Sequence, residues 1–380
     1  MVPGTDLLAG RTTLATRPIR TTPRRRIHTS RVGGVGVICA AADDTVHILV
    51  NSCTGKMGHA TAESVRRWLA GWLFASLITL TTLITLITLT TLTTLTTSHT
   101  NTQTQTHKHT NTKQVVARQE KYGNVKLVPY TFCGKSRGVA VGKIGVSGVP
   151  VERVTPEERQ SALDMIKATY SNLVVIDYTL PMAVNGNAAF YCGNGVPFVM
   201  GTTGGDRVAL VEDTKRAGCY AVIAPNMGKQ IVAFQSMMEM MAEQFPGCFE
   251  GYTLEVRESH QRTKVDTSGT AKAVVQSFQA MGLADFKEED ITKIRTLDDQ
   301  LAFGVPAEVI DSGHAYHTYS LTSGDGTVRL EFKHNVNGRK VYAEGTVDAA
   351  VFLAGVVRNG DGGDKRVFDM VDVLKAGAMV

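Results

Sequence analysis

The stretch TVHILVNSCTGKMGHATAESVRRW, residues 45–68, decides the fold class of this chain. A short apolar run, residues 46–50, leads into Gly55 and Gly58, and an apolar pattern with helical spacing follows. This order predicts a β-strand, a glycine-containing turn and an α-helix. Backbone N–H groups at the start of such a helix can hold a pyrophosphate, so the stretch indicates a dinucleotide site. The alternative is a strand-turn-helix unit that binds no ligand.

Further apolar runs alternate with helix-like stretches after residue 115. We predict strands at 125–132, 173–179, 196–204 and 219–228, and helices at 156–169, 181–194 and 206–217. Thr155 is the predicted N-cap of the first of these helices. Alternating strands and helices imply right-handed crossovers and a parallel sheet that is covered on both faces. The chain is therefore predicted to be α/β, with a Rossmann-like, doubly wound parallel sheet.

The pattern changes near residue 250. A strand at 252–260, a helix at 270–281 and two paired strands within 317–338 predict a second, α+β domain with a mixed or antiparallel sheet. The predicted divisions are 46–227 for the dinucleotide-binding domain, 228–339 for a substrate-binding and oligomerisation domain, and 340–380 for a C-terminal return to the first domain.

The basic charge is concentrated at the N-terminus. Residues 1–44 carry seven arginines against three aspartates, which is +4 of the formal net charge of +5; the arginines are Arg11, Arg17, Arg20, Arg24, Arg25, Arg26 and Arg31. This composition, rich also in Thr, Ser and Ala, is typical of an organelle transit peptide, with a disordered basic tail as the alternative. The rest of the chain is close to neutral, so charge does not favour a nucleic-acid partner.

A Leu-Thr repeat splits the predicted dinucleotide unit. No Lys, Arg, Asp or Glu occurs between Trp68 and His107, and the apolar part is long enough to span a membrane. Thr is dense throughout, and no basic residue anchors the C-terminal side before Lys108. We therefore predict a low-complexity, non-native insertion at 69–113 and no membrane partner. The alternative is a membrane anchor formed by Leu69–Thr97.

The stretch ESHQRTKVDTSGTAKAVVQSF, residues 258–278, indicates an anion site with a proton donor. In an extended chain, Glu258, His260, Arg262 and Lys264 share one side. Ser268 or Gly269 then caps a predicted helix. A histidine, a lysine and a helix N-terminus together suit a carboxylate ligand, and histidine can transfer a proton near neutral pH. The alternative is a surface strand followed by a capped helix.

The other histidines and the cysteines do not predict a metal site. His314, His317 and His334 lack the spacing of a ligand pair on a helix, and no nearby cysteine or acid completes a set. None of the cysteines forms a Cys-x-x-Cys pair, so free thiols in a reducing compartment are expected. We predict no metal.

Loops after the predicted strands offer cofactor contacts. Ligands of open α/β sheets bind at the carboxyl ends of the strands. Tyr178-Thr179, Gly201-Thr-Thr-Gly204 and Ala224-Pro-Asn-Met227 lie at such ends. The second strand ends at Cys133 with no acid, and Lys135 and Arg137 follow, which favours the 2′-phosphate of NADPH. The alternative is a solvated basic turn.

Several motifs occur in an order that is known from one family. They are GKMG (55–58), IDYT (176–179), GTTG (201–204), APNM (224–227), ESHxxxKxDxSGTA (258–271), HNxxGR (334–339) and FDMxDVL (368–374). Over residues 46–67 and 115–380 the chain resembles the dihydrodipicolinate reductase family, in particular its plant-type branch. The resemblance implies reduction of 4-hydroxy-tetrahydrodipicolinate to tetrahydrodipicolinate in the diaminopimelate route to lysine. The alternatives are a non-catalytic NADPH-binding homologue and a dehydrogenase of another small dicarboxylate.

The resemblance also implies roles for individual residues. His260 matches the general acid and Lys264 its cationic partner. The implied substrate contacts are Gln261, Ser268, Gly269 and Thr270. The implied cofactor contacts are Ser52, Cys53, Thr54, Gly55, Lys56, Met57, Tyr178, Thr179, Gly201, Thr202, Thr203, Ala224, Pro225, Asn226 and Met227. The expected cofactor is NADPH, with NADH as the alternative, and the expected protein is a homo-oligomer, a dimer or tetramer, of the chloroplast stroma.

Overall fold

The structure is a computed structural model that describes residues 45–51, 124–134, 143–146, 149–311 and 313–377. All of them belong to one compact unit of the chain, residues 44–380. The predicted transit segment, the glycine turn after residue 51 and the Leu-Thr insertion lie outside the described residues. So do Lys135 and Arg137, on which the expectation of NADPH partly rests.

The strands and helices are numbered in chain order. The strands are β1 Val46–Asn51, β2 Val125–Leu127, β3 Tyr130–Phe132, β4 Lys143–Val146, β5 Val149–Val154, β6 Leu173–Asp177, β7 Phe198–Met200, β8 Ala221–Ile223, β9 Thr253–His260, β10 Thr292–Ile294, β11 His314–Thr322, β12 Arg329–Asn337 and β13 Val367–Phe368. The helices are α1 Arg159–Thr169, α2 Val184–Gly193, α3 Arg207–Arg216, α4 Lys229–Gln244, α5 Gly269–Ala280, α6 Leu297–Ala302, α7 Lys340–Asn359 and α8 Met370–Lys375. Short 3₁₀ turns lie at Pro181–Ala183, Glu288–Asp290 and Ala307–Val309.

A six-stranded parallel sheet forms the first half of the fold, in the order β13-β8-β7-β6-β1-β2. Ile48 and Val50 of β1 face a core shared with α7 and α8, whereas Leu49 faces a second core shared with α1 and α2. Successive side chains of a strand point to opposite faces, so an uninterrupted apolar strand has to be covered on both sides. The predicted doubly wound parallel sheet is confirmed.

The order of the strands reverses next to β1. From β1 the chain continues to β2 on one side, and β6, β7 and β8 follow on the other side. Asn51 and Asp177 are the last residues of β1 and β6 and are direct partners in the sheet. The carboxyl ends of strands at such a reversal form the crevice in which open α/β sheets bind ligands.

A four-stranded mixed sheet, β10-β9-β11-β12, forms the second half, as predicted. β9 and β10 run parallel, whereas β11 pairs with both β9 and β12 in antiparallel fashion. The inner face packs on α4 and α5 through a core that includes Met238, Phe278, Tyr319 and Leu321.

Two local predictions were wrong. Residues 125–132 form two strands instead of one. Pro129, which has no N–H to give to a ladder, separates β2 from β3, and β3 joins a small third sheet, β3-β5-β4. The helix predicted at 156–169 begins at Arg159, and its N-cap is Glu158, not Thr155. The Thr155 hydroxyl instead donates to the Glu158 carboxylate at 2.9 Å.

Candidate active site

The crevice at the end of the parallel sheet is organised by Asp177, whose side chain is fully buried. Its Oδ2 accepts hydrogen bonds from the Tyr191 hydroxyl at 2.7 Å, from Asn187 at 3.0 Å and from Asn51 at 3.2 Å. Its Oδ1 accepts from the backbone N–H and the hydroxyl of Thr179, at 2.8 and 2.6 Å. Burial and the neighbouring Asp177 charge hold the pKa of Tyr191 well above its usual value. This carboxylate therefore fixes the loop that carries Thr179.

The Gly-Thr-Thr-Gly loop packs directly on the end of β6. A Cβ at Gly201 would lie 2.3 Å from the Tyr178 ring, so only glycine fits at this approach. The Thr202 hydroxyl donates to the Thr179 carbonyl at 2.8 Å. Tyr178 shares a 2.5 Å hydrogen bond with Thr346 of α7, and burial raises its pKa. The structure thus brings two of the predicted cofactor segments together.

The predicted cofactor loop after β8 reaches across to the start of α5. Ala224 and Met227 are buried, Asn226 is half-buried, and Pro225 is exposed. Nδ2 of Asn226 lies 3.4 Å from the hydroxyl of Thr270, which is a predicted substrate contact. The two halves of the fold therefore meet at this pair of side chains.

The end of β9 is tied to the start of α5 by Glu258, which is fully buried. One carboxylate oxygen accepts from the backbone N–H of Ser268 at 3.0 Å, and the other accepts from Arg295 at 2.5 Å. Arg295 also donates to the carbonyl oxygens of Glu258 and Lys264, at 3.2 and 3.0 Å. A buried carboxylate requires such charge-assisted partners, and this set places His260 next to the helix N-terminus.

His260 is the last residue of β9 and is 8% exposed. Its Nε2 lies 3.3 Å from Nε2 of His317 and 3.9 Å from Glu258 Oε2. Burial, followed by the positive charges of Arg295 and Lys264, lowers the pKa of His260 to about 3. His260 is therefore neutral at pH 7, as is His317, whose pKa burial also lowers, and the hydrogen bond between them joins two uncharged rings.

Lys264 and the first turn of α5 provide the positive end of the site. Lys264 Nζ pairs with Asp266 at 2.7 Å. Ser268 is the N-cap, but its hydroxyl makes no capping hydrogen bond, and Gly269 is exposed. Backbone N–H groups in the first turn of a helix attract anions, and a nearby ammonium adds to this attraction.

Comparison with known proteins decides the family. The model for the N-terminal part of dihydrodipicolinate reductase matches residues 113–227, and the model for its C-terminal part matches residues 230–374. The chain belongs to the dihydrodipicolinate reductase family.

Individual relatives agree with this family. The chain is 49% identical to "Probable 4-hydroxy-tetrahydrodipicolinate reductase 1, chloroplastic" of Oryza sativa, over 87% of this chain and 79% of the relative. It is 50% identical to "4-hydroxy-tetrahydrodipicolinate reductase 1, chloroplastic" of Arabidopsis thaliana, over 70% of this chain and 75% of the relative. A dipicolinate-bound dihydrodipicolinate reductase from Paenisporosarcina has a similar fold, with a TM-score of 0.50 at 16% identity, over 86% of this chain and 97% of that one.

The sequence interpretation of residues 258–264 as one extended segment was wrong. β9 ends at His260, and a turn follows in which the Lys264 N–H donates to the Gln261 carbonyl at 2.9 Å. Arg262 therefore leaves the side of the strand that carries His260 and pairs with Asp311 at 2.9 Å on the surface. In this reductase it is the turn, not strand alternation, that positions Lys264.

Gln261 and Arg339 meet at Gly313. A Cβ at Gly313 would lie 3.1 Å both from Gln261 Nε2 and from an Arg339 guanidinium nitrogen, and the φ of Gly313 is +125°. Burial lowers the pKa of Arg339, which follows the HNxxG motif. A second cation thus lies close to a predicted substrate contact of this reductase.

Three buried side chains lie close enough together to bind a metal ion. Glu258, His260 and His317 each offer a ligand atom, and these atoms lie within 4.8 Å of one another. Arg295 and the Ser268 N–H already use the carboxylate, and the charges of Arg295 and Lys264 oppose a second cation. We therefore interpret the cluster as a proton site, and the absence of a metal remains a prediction.

Sequence reasoning missed Arg295 and the role of His317. Arg295 follows a three-residue strand that was not predicted, and no local pattern sets it apart from a surface arginine. His317 lies opposite Glu258 in the sheet, but that pairing depends on the register of strands far apart in the chain. Within the part of the chain that the structure describes, no helix has the length and apolar character needed to cross a membrane.

Proposed function

We propose that the site built around His260, Lys264 and the start of α5 carries out the reaction of the family. The protein reduces 4-hydroxy-tetrahydrodipicolinate to tetrahydrodipicolinate with NAD(P)H, in the diaminopimelate route to lysine. The observation that supports this site is the 3.4 Å contact between Asn226 and Thr270, because it joins the loop proposed for the cofactor to the helix proposed for the substrate.

The substrate carries two carboxylates, and the site offers groups that match them. We propose that one carboxylate binds the N–H groups of Gly269 and Thr270, with Lys264 Nζ beside them. Substrate binding would then break the 2.7 Å ion pair between Asp266 and Lys264. Because Asp266 is exposed, losing this pair costs little free energy. We propose that Gln261 and Arg339, which meet at Gly313, hold polar groups at the opposite end of the ring.

We propose that His260 transfers the proton that accompanies the reduction. The overall reaction adds a hydride and a proton to the ring and releases water, so a group beside the ring has to deliver one proton. Burial excludes bulk water from His260, and a bound dianion would offset the charges of Arg295 and Lys264 that lower its pKa. We propose that substrate binding itself thereby prepares His260 to accept and deliver this proton.

The described residues fit a dinucleotide at the crevice. A Cβ at Gly201 would collide with the Tyr178 ring, and the Asn51 Oδ1 is buried without a partner among the described residues. Asn51 ends β1 and Gly201 follows β7. When bound, NAD(P)H supplies the hydride. Residues 201–203 and 224–227 would hold its nicotinamide end, and Tyr178 and Thr179 would line the same crevice. We propose NADPH as the preferred form.

The test is the full chain with freshly generated 4-hydroxy-tetrahydrodipicolinate, followed by the fall in absorbance of the reduced nicotinamide. We expect turnover that falls by about a hundredfold or more in His260→Ala and Lys264→Ala. Lys272→Ala is the matched control, because Lys272 lies on α5, forms an ion pair with the exposed Glu288 and has no proposed role in the reaction. A folded protein that binds NADPH but gives no turnover would favour the non-catalytic homologue. Turnover only with another small dicarboxylate would favour the alternative of a dehydrogenase acting on that compound.

We also propose a location and an assembly. The relatives from rice and Arabidopsis are named chloroplastic, and the Arg-rich segment 1–44 has the composition of a transit peptide, so we place the protein in the plastid stroma. Import into isolated plastids, followed by separation of stroma from membranes, tests this and also tests a membrane anchor at 69–97. We propose a homo-oligomer, a dimer or tetramer, which light scattering measures directly.

A further inference from the structure

His317 lies in a row of side chains that runs across the second sheet. Glu258 on β9, His317 on β11 and His334 on β12 are direct cross-strand partners, so all three point to the same face. The His317 and His334 rings stack with centroids 4.6 Å apart, and Phe234 of α4 covers His334. His317 is therefore held firmly on two sides.

The contacts of His317 are unusual for a residue at this depth. It is 1% exposed, yet its Nδ1 has no hydrogen-bond partner among the described residues. The hydrogen bond found for its ring is the one from Nε2 to Nε2 of His260, at 3.3 Å. Burying a polar ring for packing alone costs free energy that an apolar ring of the same size would not. The bond to His260 offsets this cost.

That bond contributes to the placement of the His260 ring. Its backbone is fixed by pairing with β11 and by Gln300, which donates to the His260 carbonyl at 2.7 Å. The side chain can still rotate, and the interactions that oppose rotation of its ring are those with His317 and Glu258 and a hydrogen bond with the His314 backbone. Two neutral imidazoles can share a hydrogen bond only if one Nε2 carries the hydrogen and the other does not.

We infer that His317 is a positioning residue for His260: its imidazole shares one hydrogen bond with Nε2 of His260 and holds that ring in one tautomer and one orientation. Glu258, 3.8 Å from His317 Nε2, provides the negative charge that stabilises the pair when it carries an additional proton. The inference rests on the role proposed for His260, and it gives His317 no contact with substrate.

The test compares two replacements of His317 in the full chain. His317→Phe keeps the ring volume and loses the hydrogen bond, whereas His317→Gln places an amide close to the position of Nε2 and can keep it. We expect His317→Phe to lower kcat about tenfold or more with KM within about twofold, and His317→Gln to recover the larger part of the loss. His334→Phe is the control, because His334 makes the same kind of stack but does not touch His260. Equal kcat values for His317→Phe and His334→Phe would overturn the inference.

A double-variant experiment separates an effect through His260 from an independent one. Adding His317→Phe to His260→Ala is expected to lower kcat no further, whereas a further drop would show that His317 acts by another route. Histidine ¹⁵N chemical shifts report the tautomer without turnover. We expect one tautomer of His260 in the unchanged protein and a mixture in His317→Phe. If the chain has no reductase activity, the proposed function fails, but these shifts still decide the positioning role.

Discussion

Gly345 is the position at which one added methyl group should disturb both the fold and the cofactor loop. It is buried in α7, and a Cβ there would lie 1.8 Å from the Met227 carbonyl oxygen. Real contacts of this kind are not shorter than 3.0 Å, so helix and loop would have to separate by at least about 1.2 Å. The neighbour is backbone, which cannot swing away as a flexible side chain would.

The expected magnitude follows from two opposing effects. Replacing a helical glycine with alanine gains about 1 kcal/mol in an unhindered position, whereas overpacking of a buried site costs about 1–3 kcal/mol and sometimes more. Since the clash at Gly345 exceeds 1 Å, we expect Gly345→Ala to lose about 2 kcal/mol of stability. The same displacement moves Met227, so NADPH affinity should fall as well.

Gly355 provides the matched control on the same helix. A Cβ at Gly355 meets nothing within 4 Å, so Gly355→Ala should be as stable as the unchanged protein or more stable by up to about 1 kcal/mol. Thermal unfolding and NADPH titration of both variants make the comparison. If Gly345→Ala matched Gly355→Ala in both measurements, the close packing of α7 on the cofactor loop would be refuted.

Three further predictions concern buried charges and thiols. Lys229 and Asp348 form a 2.6 Å ion pair whose side chains are 3% and 0% exposed. Asp348→Asn should therefore lower the free energy of unfolding in urea by about 3–5 kcal/mol, and replacing both residues with apolar ones should restore most of that stability. Burial lowers the pKa of His334 to about 4, below its unfolded value of about 6.5, so the free energy of unfolding should fall as pH drops from 6.5 to 4. His334→Phe should remove up to about 1.4 kcal/mol per pH unit of that loss, and identical pH profiles of unfolding for the variant and the unchanged protein would contradict this. The hydrogen bond from Cys219 lowers the pKa of the Cys192 thiol, while the pKa of Cys219 is raised, so iodoacetamide should label Cys192 before Cys219, as peptide mass mapping would show.

The sequence predicted the fold class better than the element boundaries. β6, β7 and β8 were located because they are apolar runs that end in glycine, proline or polar residues. They proved shorter than predicted, since loops such as Gly201-Thr-Thr-Gly204 carry small residues that pack on the end of the sheet without joining its ladder. Pro129 was within the predicted second strand and could have indicated the break between β2 and β3.

For the candidate site as well, the sequence predicted some residues and missed others. His260, Lys264 and Ser268 could be grouped because they are neighbours in the chain and a helix start follows them. Arg295 is separated from Glu258 by 37 residues and His317 from His260 by 57, so only the register of β9, β10 and β11 brings these groups together. Register depends on the packing of the whole sheet, which a single sequence does not reveal.

The segment around residue 228 links the two halves of the site more tightly than a flexible connection would. Met227 contacts α7 at Gly345, Asn226 contacts Thr270, and Lys229 is fixed by its buried pair with Asp348 of α7. The predicted domain boundary at 227/228 therefore lies between a close backbone contact and a buried ion pair. Because breaking the buried ion pair would cost about 3–5 kcal/mol, any closure of the predicted second domain on the first has to bend the chain beyond Lys229. The cofactor loop and the start of α4 would then move as one body with α7, and the approach of α5 would determine the distance between cofactor and substrate.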